Sequence, residues 1–287
     1  VAAIPEGLPA VVTVGLAIGV KRMIKRNALV RKLPSVETLG ETTVICTDKT
    51  GTLTKNEMTV KKIYTNGRII EVTGSGYDTK GEFVFNRKKI NPSEIGLLLQ
   101  IGALNNDASL YNGSVVGDPT EAALIVSAAK AGIDKEALQH KYQRKDEILF
   151  TSERKIMTTM HSIDGEDVSY VKGAPEIILE LCASIYEDGK IRKLTEAKKK
   201  GILQINQEFG NDALRVLGFA FKTVMSKDRL EKNLTFVGLQ GMIDPPRLEV
   251  KEAIRKCKRA GIKVVMITGD HELTAKAIGK EIGFVIL

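Results

Sequence analysis

The string Asp48-Lys49-Thr50-Gly51-Thr52-Leu53-Thr54 holds the residue types best suited to covalent chemistry. A carboxylate followed by a tight glycine-containing turn can attack a phosphoryl group while backbone N–H groups of the turn hold its oxygens. Lys49 balances the charge. Asp-Lys-Thr-Gly also suits an ordinary surface turn, so the surrounding elements must decide. Residues 42–47, TTVICT, are apolar and β-branched and stop at Asp48. They read as a buried parallel strand that delivers a carboxylate at its C-terminal end.

A second candidate is Glu6, set in Pro5-Glu6-Gly7-Leu8-Pro9 ahead of the uncharged run at residues 7–20. Proline frees backbone carbonyls, and a carboxylate at membrane depth takes a partner or an ion. The run is shorter than the ~20 residues of a full span, so a buried soluble helix fits it equally well. Lys21-Arg22-Met23-Ile24-Lys25-Arg26 follows at once, as where a helix leaves a membrane on its cytoplasmic side. A third candidate is Phe150 beside Thr151-Ser152-Glu153-Arg154-Lys155, an aromatic next to polar and cationic groups. No G-x-x-x-x-G-K-[ST] string is present, and Gly74-Ser75-Gly76 reads as a turn.

The chain has 287 residues, 43% hydrophobic and 27% charged, which excludes a disordered or multi-span membrane protein. The net charge of +8 is concentrated early, with Lys21, Arg22, Lys25, Arg26, Arg31 and Lys32 against Glu6 alone. That is a local collar and not a nucleic-acid footprint. Cys46, Cys182 and Cys257 are far apart and form no C-x-x-C pair, which argues against a disulfide framework or zinc site. The start at Val1 reads as a piece of a longer protein.

Periodicity predicts strands at 58–64, 68–73, 146–150, 155–163, 167–172, 214–221, 234–241 and 262–267. Helices are predicted at 92–105, 118–131, 174–183, 195–211, 247–260 and 272–282. The expected fold class is α/β and discontinuous. A parallel-sheet domain begins at 27–56 and resumes at 244–287, with a mixed α+β domain at 57–243 inserted between, behind a helix and basic stalk at 1–26.

The seven-residue string around Asp48 resembles the phosphorylation motif of the P-type cation-transporting ATPases, whose phosphorylation domain has the haloacid dehalogenase (Rossmann-like) fold. Ile4-Pro5-Glu6-Gly7-Leu8-Pro9 is similar to part of that family's fourth transmembrane helix, and Leu33-Pro34-Ser35-Val36-Glu37-Thr38-Leu39-Gly40 to the lead-in segment. Lys172-Gly173-Ala174-Pro175-Glu176 resembles its nucleotide-domain motif. Asp244-Pro245-Pro246-Arg247 and Met266-Ile267-Thr268-Gly269-Asp270 resemble two later phosphorylation-domain motifs. The resemblance implies ATP and Mg²⁺ as cofactors, and an aspartyl phosphate on Asp48 with Lys49, Thr50, Gly51, Thr52, Thr268, Gly269 and Asp270 around it. It also implies Mg²⁺ on Asp48 and the Thr50 carbonyl. Related phosphatases typically place an aspartate at position 50; threonine there activates water poorly, so the phosphate should persist.

For the nucleotide, the resemblance implies adenine stacking on Phe150, contacts from Glu121, Lys155, Lys172, Gly173 and Asp244, and Arg215 reaching the phosphates. Glu6, with the carbonyls of Val1, Ala2 and Ile4, would bind the transported cation. The form of this helix favours Ca²⁺, with Na⁺, K⁺ or H⁺ as alternatives, and a soluble phosphatase of the same fold or a regulatory nucleotide-binding module as rivals. The implied setting is an integral membrane protein with residues 1–26 in contact with lipid and 27–287 cytoplasmic. Its partners would be the actuator and transmembrane segments of the same protein, and no nucleic acid.

Overall fold

The computed structural model describes residues 7–111, 114–224, 230–269 and 272–284. Val1, Ala2, Ile4, Glu6 and Asp270, named above as candidates, lie outside the described residues. Along the chain come α1 (Leu8–Ile24), α2 (Pro34–Gly40), β1 (Val44–Asp48), β2 (Thr59–Thr65), β3 (Arg68–Val72), β4 (Phe83–Phe85) and β5 (Lys88–Lys89). Then follow α3 (Gly96–Leu104), β6 (Ser109–Tyr111), β7 (Ser114–Val116), α4 (Pro119–Lys130), α5 (Lys135–Lys141), β8 (Arg144–Ile148), β9 (Ile156–Ile163) and β10 (Glu166–Gly173). The remainder is α6 (Pro175–Leu181), β11 (Cys182–Glu187), β12 (Lys190–Lys193), α7 (Glu196–Asn211), β13 (Arg215–Thr223), β14 (Leu234–Ile243), α8 (Val250–Arg259), β15 (Lys263–Ile267) and α9 (Glu272–Ile282).

These elements divide into two units. One is Val1–Thr47 with Lys251–Ile267, the other Asp48–Val250 with Thr268–Leu287. In the first, β1 pairs with β15, and the Lys263 N–H donates to the Thr43 carbonyl at 2.8 Å. The expectation of a buried strand at 42–47 does not hold, because no residue of Val44–Asp48 is buried. Among the described residues only β15 lies beside it, and a two-stranded sheet leaves both faces uncovered. Helix α1 carries Pro9 in its first turn and Lys21 and Arg22 in its last, both favourable placements. Leu8, Val11, Val14 and Ile18 are all exposed on it. No helix of the described residues is long and apolar enough to cross a membrane.

In the second unit the strands run β5-β4-β3-β2-β14-β13-β10-β9-β8, with β11 also on β14 and β12 on β11, eleven strands in all. The ten-residue β14 explains the branch. Its first residues, Leu234 to Phe236, pair in parallel with β11, and Leu239 to Ile243 pair antiparallel with β2 on the same side. Alternation along the strands then builds two cores. Tyr170 and Phe219 join Leu98, Leu99 and Leu124 of α3 and α4 on one face. Val171 and Ala220, the next residues, join Ile178 and Leu179 of α6 and Ile202 and Phe209 of α7 on the other. This is a mixed α/β unit with helices on both faces of a large sheet.

Residues 48–56 and 244–250 lie in the unit that holds the large sheet. Hydrogen bonds join those two segments to each other, as described below.

Candidate functional site

Asp48 ends β1 and the chain turns at once. Thr50 at φ −76°, ψ 125° and Gly51 at φ 74°, ψ −10° have type II turn angles, which demand a left-handed residue at the second position and so explain the glycine. The Thr54 N–H closes the loop on the Lys49 carbonyl at 3.0 Å. The segment 244–247 then clasps it. Thr54 Oγ1 donates to Asp244 Oδ2 at 2.5 Å, and the Glu57 N–H donates to Asp244 Oδ1 at 3.3 Å. Arg247 donates from Nε to the Thr54 carbonyl and from Nη2 to the Gly51 carbonyl, both at 3.1 Å. The Arg247 N–H reaches the Leu53 carbonyl at 2.9 Å. Asp244 and Lys49 are buried, while Asp48, Thr50 and Thr52 are exposed. The loop is thus fixed by the 244–247 segment, and Asp48 at its start is exposed.

A cavity of about 1120 Å³ opens beside this loop, lined by Lys49, Thr50, Asp244, Gly269, Thr120 and Arg215 among others. A second, of about 680 Å³, is lined by Glu121, Phe150, Met157, Lys172, Gly173 and Arg215 among others. Asp118, Thr120 and Arg215 border both. Arg215 Nη1 donates to Thr120 Oγ1 at 3.0 Å. Asp118 caps α4, accepting from the Thr120 and Glu121 N–H groups at 2.8 and 3.3 Å, and this sets Glu121 in the first turn.

The smaller cavity is lined by both apolar and charged side chains. Phe150 is 57% exposed and stands with Leu149, Met157 and Leu217 in that lining. Lys172, in the same lining, is buried although a lysine. Its Nζ donates to Glu121 Oε1 and to the Asn105 carbonyl, each at 2.5 Å. Burial pushes its pKa down, and the Glu121 carboxylate works against that. Glu121 Oε2 accepts from the Asp107 N–H at 3.0 Å. A slot with an apolar face and convergent polar groups suits a planar heteroaromatic ring. Gly173 lies where a Cβ would overlap the Lys155 carbonyl oxygen and Ile156, so the backbones of β9 and β10 approach closely there.

Five of the residues expected at a nucleotide site, Glu121, Phe150, Lys172, Gly173 and Arg215, are brought to one cavity. Asp244 lines the other. The exposed Lys155 lines neither; its backbone, at φ 56°, accepts the Ala174 N–H at 3.0 Å. Thr50, Lys49 and Gly269 share the larger cavity, whereas Asp48, Gly51, Thr52 and Thr268 are outside its lining.

Sequence reasoning missed the supports behind Lys172. Asn105 Nδ2 donates to the Met157 and Tyr170 carbonyls at 3.0 Å. Arg144 Nη1 holds Asp107 at 2.7 Å, and its Nη2 holds the Leu104 and Asn106 carbonyls at 3.1 and 3.0 Å. Lys135 donates to the Asn106 and Ala108 carbonyls, and burial lowers its pKa to about 8. The one signal available was Asn105-Asn106-Asp107 directly after an apolar helix.

The donors expected for a metal are the Asp48 carboxylate and the Thr50 carbonyl; no cluster of three or more acidic, histidine or cysteine residues that could hold a metal occurs among the described residues. One carboxylate and one carbonyl suit Mg²⁺, which keeps waters and shares phosphate oxygens where Ca²⁺ takes a full protein cage.

Comparison with known proteins bears on the whole chain. Residues 94–249 match the family model for the P-type ATPase cytoplasmic domain N. Calcium-transporting ATPase 1 of Bacillus cereus is 50% identical over 99% of this chain and 31% of its own length. The calcium-transporting ATPase of Bacillus subtilis is 44% identical over 98% of the chain and 33% of its own length. The human calcium-transporting ATPase type 2C member 1 is 44% identical over 99% of the chain and 31% of its own length. The chain therefore spans about a third of the length of these relatives.

Proposed function

Because this chain belongs to the P-type ATPase family, we propose that it is the nucleotide-binding and phosphorylation part of an ATP-driven cation pump, with Ca²⁺ as the cargo. One observation carries the nucleotide half of the reading: Glu121, Phe150, Lys172, Gly173 and Arg215 converge on one cavity. The adenine lies against Phe150, a stacking contact worth ~1–3 kcal/mol, with Glu121 and Lys172 at its polar edge. Arg215, which borders both cavities, turns the phosphates toward Lys49 and Thr50. Residues 57–243 form the nucleotide domain, and 27–56 with 244–287 belong to a haloacid-dehalogenase-like phosphorylation domain.

In the chemical step an Asp48 carboxylate oxygen attacks the terminal phosphorus of ATP in line with the leaving group. The bond to the bridging oxygen breaks and ADP departs with its electron pair. Backbone N–H groups of Lys49 to Thr52, with Thr268, Gly269 and Asp270, surround the transferred group, and Lys49 offsets its charge. Mg²⁺, held by Asp48 and the Thr50 carbonyl, would shield the two like charges as they approach. Thr50 lacks a carboxylate with which to activate water, so the acyl phosphate outlives the step that forms it.

Residues 1–26 contact lipid as the cytoplasmic half of a transmembrane helix, and Glu6 with the Val1, Ala2 and Ile4 carbonyls ligates the cation. Residues 27–287 lie in the cytoplasm, and actuator and transmembrane segments outside 1–287 complete the machine. The test is acid-stable labelling of the full-length protein by γ-labelled ATP. Asp48→Asn should abolish the label and leave ATP binding intact; a label that persists removes Asp48 from the reaction. Glu6→Gln should weaken the Ca²⁺ dependence of labelling, and an unchanged dependence would reassign the cargo.

A further inference from the structure

Phe150 is a wall with no evident foundation. No residue from Leu149 to Lys155 is buried, so core packing does not fix the loop that carries the ring. An aromatic platform must nevertheless be held still, because stacking is lost when the ring swings away.

The holding groups are polar. Arg154 Nη1 donates to the Leu149 carbonyl at 2.8 Å, and its Nη2 pairs with Glu231 Oε1. The same Glu231 oxygen accepts from Thr158 Oγ1 at 2.6 Å, which anchors the pair to β9 one residue beyond Met157 of the cavity wall. Inside the loop the Lys155 N–H closes on the Thr151 carbonyl at 2.8 Å. The Arg154 N–H also donates to Thr151 Oγ1 at 3.3 Å. The side chains of Arg154 and Glu231 are 30% and 23% exposed, so solvent screens this pair less than one at the surface. The planar fork of arginine is what lets one residue hold a carbonyl and a carboxylate together.

We propose that Arg154 and Glu231 are positioning residues, a clasp that fixes the 149–155 loop so that Phe150 stands ready to stack on the base of a nucleotide. Neither side chain lines the cavity, so both act through Phe150. The proposal rests on the reading of this cavity as the base pocket. Its signature is selectivity: disturbing the clasp weakens contacts to the base and spares those to the phosphates.

The experiment measures calorimetric affinities of the full-length protein for ATP and for inorganic tripolyphosphate, which lacks the base. Glu231→Gln should weaken ATP about tenfold and leave tripolyphosphate unchanged. In a Phe150→Ala background the same substitution should have no further effect on ATP, because the platform is already gone. Arg154→Lys keeps the charge but lacks the fork, and should reproduce the loss if Glu231→Gln lowers the folded fraction. Equal weakening of ATP and tripolyphosphate, or a Glu231→Gln loss that adds in full to that of Phe150→Ala, overturns the clasp and leaves the base pocket standing. An ATP affinity unchanged by Phe150→Ala overturns the base pocket and the clasp with it.

Discussion

The two cavities use buried charge for different ends. Around the smaller one, charge is carried inward: Lys172 and Lys135 are buried, and Arg144 reaches beneath them to the carbonyls of Leu104 and Asn106. Around the larger one the buried Asp244 and the half-buried Arg247 hold the loop, through Thr54 Oγ1 and the Thr54 and Gly51 carbonyls, while Asp48 itself is exposed. A binding site gains by being formed before the ligand arrives. On the reading proposed above, Asp48 is a nucleophile that must meet a phosphoryl group and later be freed of it, and it gains by exposure on a rigid turn. Buried charge should therefore carry stability on one side, and backbone geometry should carry rate on the other.

The hardest test of that contrast is Lys172→Met. It removes one member of a pair whose side chains are only 7% and 17% exposed, which leaves Glu121 short of a partner. Breaking such a pair costs about 3–5 kcal/mol, to be read from the urea midpoint. Replacing both members by apolar residues should recover much of the loss, since two desolvated charges then disappear together. If Lys172→Met is neutral, the pair is not what holds this side of the unit.

Acid gives the next largest effect. His161 is buried on β9, with Nδ1 3.1 Å from the Tyr142 carbonyl and Nε2 2.9 Å from Thr159 Oγ1. Burial first, then the nearby Arg144, holds its pKa down at about 4, although the Tyr142 carbonyl pulls upward. The unfolded chain binds this proton near pH 6.5. Stability from the neutral ring is thus whole above that pH and drains away as the pH falls toward 4, by up to about 3 kcal/mol. His161→Gln should flatten that part of the pH–stability curve, and an unchanged slope would assign the acid sensitivity to other groups.

On the chemical side, Thr54→Val removes the hydroxyl that bridges the Gly51 N–H and Asp244 Oδ2. A hydrogen bond to a buried carboxylate is worth about 2 kcal/mol. We expect a matching fall in stability and slower phosphorylation of Asp48, with ATP affinity unaltered. A loss of ATP affinity as large as the loss of phosphorylation would erase the distinction between the two sides.

Much of this was legible beforehand, and the gaps have physical causes. The paired strands β9, β10, β13 and β14 were visible because β-branched and aromatic runs alternate over two covered faces, and α4 because Asp118-Pro119 announces its start. The hairpin of β4 and β5 was missed because Asn86-Arg87 turns it with φ 50° and 63° and without a glycine. Residues Cys182 and Ala183 read as helix, yet they begin β11, since pairing with β14 outweighs local periodicity. Of the residues lining the smaller cavity, Phe150 and Lys172 stand in motifs that could be read in advance. Lys135, Arg144 and Glu231 could not, because they act across 27 to 77 residues of sequence and carry no local pattern.

Gly51→Ala is the smallest expected change and the sharpest probe of the backbone side. A Cβ at Gly51 meets nothing within 4 Å, so the substitution introduces no clash, and only its φ of 74° opposes it. Holding an alanine in that region costs about 1 kcal/mol. The penalty should appear as slower labelling of Asp48, because the turn relaxes away from the angles that orient its N–H groups. Gly51→Asn separates conformation from bulk, since asparagine is larger than alanine but tolerates the left-handed region better. Labelling that is faster in Gly51→Asn than in Gly51→Ala therefore locates the requirement in the backbone; the reverse order would locate it in the space above the loop.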